Sequence, residues 1–121
     1  MHPFHNLDVS GRYPIVEQEV RHWFDILNRE LFEGVLTEIR YIDIRRRRGC
    51  HAYYSGAWFN FEPTLFMRPA YESKRLFVQV LGHELVHHYQ HLHDQDDDHG
   101  ESFLAWIPKF SDMGLDLCEE Y

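Results

Sequence analysis

Cysteine is scarce: the chain holds two, Cys50 and Cys118, far apart in sequence. Two thiols cannot build a disulfide scaffold, and without a C-x-x-C pair there is no zinc ribbon. Two reduced thiols in a cytosolic protein are the expectation. Long apolar runs are missing too, since none approaches the roughly 18 residues a membrane span needs. Residues 1–11 lack a basic region followed by an apolar stretch and do not read as a secretory signal, so a cytoplasmic location is expected. Positive charge is the third shortage. Twelve Lys and Arg face twenty Asp and Glu, a net charge of −8. That argues against strong nonspecific binding to nucleic acid, whose affinity rests on clustered Lys and Arg. Internal repeats and low-complexity tracts are also absent.

What remains is one domain's worth of chain. At 121 residues, 44% hydrophobic and 16% aromatic, the sequence can bury one core and has little room for a second. Its charge is uneven. Arg45, Arg46, Arg47 and Arg48 form a basic run, and residues 94–98 are acidic apart from Gln95. Ten histidines is a high number, and six of them (His83, His87, His88, His91, His93 and His99) fall within 17 positions. Such clustering points to metal.

Hydrophobic spacing gives the elements. Val16, Val20, Trp23, Leu27 and Leu31 recur at helical steps behind Pro14, which suits a first helical turn, and Gly34 is a stop; the spacing predicts a helix over 14–32. Residues 36–45 mix β-branched and charged residues and read as a strand. After a turn near Arg48 and Gly49, the aromatic-rich stretches up to Met67 read as two or three short strands. Residues 71–92 predict a helix that is apolar over most of its circumference and therefore central. Beyond a polar loop, a last helix begins near Glu101, with Phe103, Trp106, Ile107 and Phe110 on one side and Pro108 kinking or shortening it. Residues 1–13 carry no period and read as a loose arm. The order helix, strands, helix, helix is that of an α+β domain.

Within the central helix stands His83-Glu84-Leu85-Val86-His87, an H-E-x-x-H motif. Positions i and i+4 share a helix face about 6 Å apart along the axis, so two imidazoles can lean onto one ion at roughly 2.0–2.1 Å. Glu84, one step round, is offset from equal ligation but placed to meet a water on the metal. Burying two histidines and a carboxylate in so apolar a helix is costly unless something pairs with them, which a metal does. A catalytic zinc usually takes three protein ligands and leaves one position open. For the third, His88 points about 100° away from His87 and His91 lies about 12 Å along the axis from His83. His93 and Asp94 reach back only if the helix ends early, and Glu101 is a further candidate. His99 follows a loop long enough to reverse, precedes Gly100 and is locked by the next helix. It is the preferred third ligand.

These residues carry a resemblance. H-E-x-x-H followed by His99-Gly100-Glu101-Ser102-Phe103 resembles the SprT-like family, which includes the Spartan proteases. Asn28-Arg29-Glu30-Leu31-Phe32 with Gly34 and Leu36 is similar to that family's first helix and its exit, and Gly49 sits where the family has a glycine after its first strand. The resemblance covers about residues 15–115. It implies a zincin-like single domain: an N-terminal helix, a small three-stranded antiparallel sheet, an H-E-x-x-H helix and a following C-terminal helix. It also implies one Zn2+ on His83, His87 and His99, with Glu84 as general base for peptide hydrolysis, and it raises DNA–protein crosslinks as a substrate context. The cysteine-rich ribbon and the ubiquitin- or DNA-binding tail of better-known members have no counterpart in this sequence.

Other readings stand beside it. The same constellation serves other zinc hydrolases, such as cell-wall peptide hydrolases. A non-catalytic zinc-stabilised module that binds DNA or a partner protein is a third option, disfavoured by the intact Glu84, since a structural site needs no base. Tyr53, Tyr54, Tyr89 and His88 are candidates for stabilising an oxyanion, and residues 57–61 (AWFNF) for a sheet edge that holds an extended peptide. Arg45, Arg46, Arg47 and Arg48 read as a solvated basic turn or a DNA contact, the acidic loop as solvated, and His2, His5, His22 and His51 as incidental.

Overall fold

In the computed structural model, which describes residues 4–9, 11–56, 62–119 and 121, the element order is β1 (Tyr13–Pro14), α1 (Glu17–Leu31), β2 (Tyr41–Ile44), β3 (Ala52–Ser55), β4 (Thr64–Met67), β5 (Ala70–Tyr71), α2 (Lys74–Leu92), α3 (Glu101–Leu104) and α4 (Ile107–Asp112). This is a small α+β domain, as the order of hydrophobic periods predicts. Among the described residues no helix is long and apolar enough to cross a membrane.

Helix α1 begins three residues later than the sequence suggests, because Pro14 belongs to β1 and pairs with Ala70 of β5. Val16 becomes the exposed N-cap, while Val20, Trp23, Leu27 and Leu31 form the buried stripe with Phe24. Gly34 ends the helix as expected. At φ +76 it takes a left-handed turn that favours glycine, and its N–H donates to the Asn28 carbonyl at 2.9 Å. The Asn28 side chain then clamps the exit, exchanging two 3.0 Å bonds with the backbone of Leu36. Inside the 1–13 stretch expected to be loose, Phe4 and Leu7 are buried in the core, and Asp8 pairs with Arg75 of α2 at 2.7 Å.

The three-stranded sheet corrects the antiparallel expectation. Its order is β2-β4-β3, with β4 antiparallel to β3 but parallel to β2 (Tyr41 opposite Thr64, Ile44 opposite Met67). The chain leaves β2, crosses to the far edge as β3 and returns between them as β4, an order that local periodicity does not encode. Strand β2 is also shorter than the predicted 36–45. The carbonyls ahead of it are taken by side chains, Leu36 by Asn28, Thr37 by His88, and Ile39 and Arg40 by Arg21, rather than by a neighbouring strand.

Helix α2 starts at Ser73, whose hydroxyl accepts the Leu76 N–H at 3.1 Å, and is buried from Phe77 to Val86 and onward to His88. It packs against α1, β3, β5 and α3. Gly82 allows the closest approach: a Cβ there would lie 2.7 Å from the ring of buried Phe110 in α4. The predicted last helix is two short ones. The break falls at residues 105–106, and Pro108 sits in the first turn of α4, where its missing N–H costs nothing.

Candidate metal centre

His83 and His87 project from one face of α2, and the loop over residues 93–100 turns His99 back onto them. The three ring centroids form a near-equilateral triangle, 5.0, 5.1 and 5.0 Å on a side. The His99 Nε2 lies 3.2 Å from the His87 Nε2 and 3.3 Å from the His83 Nε2. Two ligands at roughly 2.0–2.1 Å from a tetrahedral ion stand about 3.3–3.4 Å apart, so the spacing is that of three donors sharing one cation.

Protonation supports the same conclusion. The Nδ1 of His83 faces the Cys118 carbonyl at 2.7 Å, an atom that can only accept, so this nitrogen carries the hydrogen and Nε2 keeps its lone pair. The His87 Nδ1 donates to Gln90 Oε1 at 2.8 Å and also faces an Asp97 carboxylate oxygen at 2.9 Å. The orientation of the Gln90 amide is set by its Nε2, which donates to the Asp98 carbonyl at 3.1 Å and to Ser102 Oγ at 2.9 Å. Two unprotonated nitrogens therefore converge with His99 on one point; a hydrogen on the His99 Nε2 satisfies at most one of them, whereas a cation suits all three. The three histidines can hold a metal ion.

Burial shapes the titration. His83 is pushed down to about 4, first by burial and then by the neighbouring His87 and His99, against the pull of the Cys118 carbonyl. His87 is also lowered, mainly by burial. Glu84 is 4% exposed and its Oε1 lies 3.9 Å from the His83 Nε2. Without a cation beside it, burial and the Asp97 charge push its carboxyl up to about 8, opposed by the Tyr54 backbone N–H.

These groups line a cleft of about 300 Å³ whose other walls include Ala52, Tyr53 and Tyr54 of β3, and Asp97, Glu119 and Tyr121. Among the other candidate ligands, His88 is fully buried and committed elsewhere. It donates from Nε2 to the Thr37 carbonyl at 2.8 Å and accepts the Tyr54 hydroxyl at Nδ1, 2.6 Å away. His93 caps α2 and stacks on Tyr89 at 3.9 Å; His91 and Asp94 are exposed and Glu101 opens α3, and none of the four joins the histidine group. Tyr89 packs on Trp106 and Phe32, away from the cleft walls. Residues 57–61, the expected sheet edge, lie outside the described residues; the strand that borders the cleft is β3.

Three residues escape the sequence reading. Gln90 orients His87 and ties it to the loop and to α3. Phe103 is read there as core and as the end of the His99 segment, with no role at the site, yet its ring lies 4.9, 5.4 and 4.8 Å from His83, His87 and His99, forming the floor under all three. Tyr121 packs edge-on to His83 at 5.6 Å. Gln90 and Phe103 each follow a histidine at a helical step, three after His87 and four after His99, a signal the sequence does contain. Tyr121 has none. The basic run divides. Arg45 pairs with Asp43 at 2.9 Å, while Arg46, Arg47 and Arg48 line a separate cleft.

A small α+β domain carrying a three-histidine metal-binding group and a buried glutamate on one helix is the design of a metalloprotease-like domain. The sequence model of the SprT-like family matches residues 20–120, and the chain belongs to that family. No curated protein matches the chain.

Proposed function

We propose that this chain is a zinc-dependent metalloendopeptidase with a zincin-like core, in which His83, His87 and His99 hold one Zn2+ and Glu84 is the general base. The observation that carries this reading is the convergence of three imidazole nitrogens, two with their tautomers fixed by Nδ1 partners, beside a buried carboxylate. Among the described residues no fourth protein ligand joins the three histidines, so the site has the three-ligand form of a catalytic zinc rather than the closed form of a structural one. When bound, zinc supplies Lewis acidity toward a peptide carbonyl and brings the pKa of water to about 7.

The chain's own residues do the rest. Glu84 takes a proton from the attacking water and delivers it to the leaving amine. The Tyr54 N–H holds its carboxylate in place beside the histidines. Strand β3 is the sheet edge beside the cleft, placed to align an extended peptide across the metal site. Of the four oxyanion candidates, Tyr54 and His88 bond each other and Tyr89 lies elsewhere. Tyr53 alternates with Tyr54 along β3, and its ring packs on Phe66 at 5.9 Å, on the sheet face away from α2. The test is metal dependence. Cleavage of an unfolded protein such as casein should vanish after chelation and return with one equivalent of zinc. Cleavage that survives complete zinc removal would contradict the reading.

A further inference from the structure

A cleft of about 630 Å³ lies apart from the metal site. Five guanidinium groups, Arg12, Arg46, Arg47, Arg48 and Arg68, line it against one carboxylate, Glu72. In a chain of net charge −8 this concentration is notable for what surrounds it. Arg21, Arg29, Arg40, Arg45 and Arg75 each have a carboxylate within 3.7 Å. Arg12, Arg46, Arg47 and Arg48 have none among the described residues, and the Arg47 Nε is buried without a hydrogen-bond partner, its guanidinium lying 4.2 Å over the Phe66 ring. Arg12, Arg46 and Arg48 stay exposed and only Arg47 is half-buried, so the cost is one of crowding like charges in one concavity, which an anion would relieve.

The cleft adjoins the proposed active site through residues 50–52. Arg68 donates to the Cys50 carbonyl at 3.0 Å, and Tyr71, also in the cleft wall, donates to the His51 carbonyl at 2.6 Å. The next residue, Ala52, begins β3 and lines the metal cleft. A peptide lying along the free edge of β3 past the metal therefore continues toward the arginines. We propose that this cleft is a substrate subsite that takes a run of acidic side chains, Asp or Glu, a few residues from the bond that is cut. The inference rests on the protease reading for its role in catalysis. A carboxylate-bearing peptide fits better than a nucleic-acid backbone, because the arginines without a carboxylate partner among the described residues all line this one concavity. The metal cleft beside it is edged by Asp97 and Glu119.

The experiment measures binding apart from turnover. Zinc-loaded Glu84→Gln protein is titrated with a fluorescent peptide carrying four consecutive glutamates, with its glutamine counterpart, and with an oligothymidylate of equal charge. The acidic peptide should bind about tenfold or more tighter than the neutral one, and the double substitution Arg46→Gln with Arg48→Gln should erase the difference. Both arginines are exposed, so this variant should keep the parent's melting temperature; Arg12→Gln, on another segment, gives an independent second variant. Equal binding of the two peptides, or a preference untouched by the arginine substitutions, overturns the proposal. Tighter binding of the oligothymidylate through the same arginines overturns it in favour of nucleic acid. If the wild type cleaves neither peptide while arginine-dependent binding persists, the protease reading fails and the acidic-segment site stands.

Discussion

Replacing Gln90 by leucine should loosen the metal without touching a metal ligand. Gln90 is fully buried and makes three hydrogen bonds: it accepts from His87 Nδ1 and donates to the Asp98 carbonyl and to Ser102 Oγ. Leucine is similar in volume but satisfies none of them. Asp98 is exposed and Ser102 half-buried, so both can turn to water; at about 1 kcal/mol per net bond the stability loss is about 2–3 kcal/mol. The larger signal is in zinc affinity. His87 keeps only Asp97, whose side chain is 58% exposed, to fix its tautomer, so affinity should fall about 10–100-fold, equal to about 1.4–2.7 kcal/mol. Competition with a chromophoric chelator at neutral pH reads this directly, with circular dichroism confirming a folded variant. Ser102→Ala is the control. It removes one Gln90 bond, should cost no more than about 1 kcal/mol, and should leave zinc affinity near the parent's. If folded Gln90→Leu binds zinc as tightly as the parent, or Ser102→Ala weakens zinc equally, Gln90 does not act by orienting His87.

Gly82→Ala should destabilise the fold, because the new methyl meets Phe110 at 2.7 Å: overpacking of about 1–3 kcal/mol outweighs the helix-propensity gain of about 1 kcal/mol. A raised melting temperature would show that the ring yields freely. For the metal-free protein, the folded pKa of His83 lies near 4, below its ordinary 6.5, so the unfolded chain binds more protons between those values. Its contribution is complete above pH 6.5 and is lost as pH falls toward 4, and the lowered His87 and His88 act in the same sense. Glu84, raised to about 8, acts oppositely, weakening the fold as pH rises from 4.5 toward 8. With three histidines against one glutamate, the melting temperature of chelator-treated protein should fall on acidification from pH 6.5 to 4. A flat or rising profile would contradict the burial argument.

The parts of this molecule legible in sequence are those where one segment carries its own instructions. Helix α2 declares itself by an apolar circumference, the H-E-x-x-H spacing by helical geometry, and the α1 exit by Gly34. His99 was preferred for the loop before it and Gly100 after it, and the fold does bring its ring to those of His83 and His87. Where the outcome depends on what lies across the fold, sequence was silent or misleading. The parallel pairing of β2 with β4 depends on β3 having crossed to the far edge. Phe4 and Leu7 carry no period, yet both are buried in the core, Phe4 with its ring 6.3 Å from that of Trp23. Pro14 suits a helix start equally well, but β5 offered it a partner. Arg12 and Arg68 lie far from the basic run in sequence and join it only in the folded chain.

In the proposed mechanism Glu84 moves the proton at a metal held by His83, His87 and His99. The most direct test compares cleavage of an unfolded protein by zinc-loaded wild type and Glu84→Gln, each first shown to bind one zinc. The account predicts cleavage by the wild type and loss of turnover in the variant at full zinc occupancy. Equal cleavage by both, or none by either at full occupancy, would contradict it.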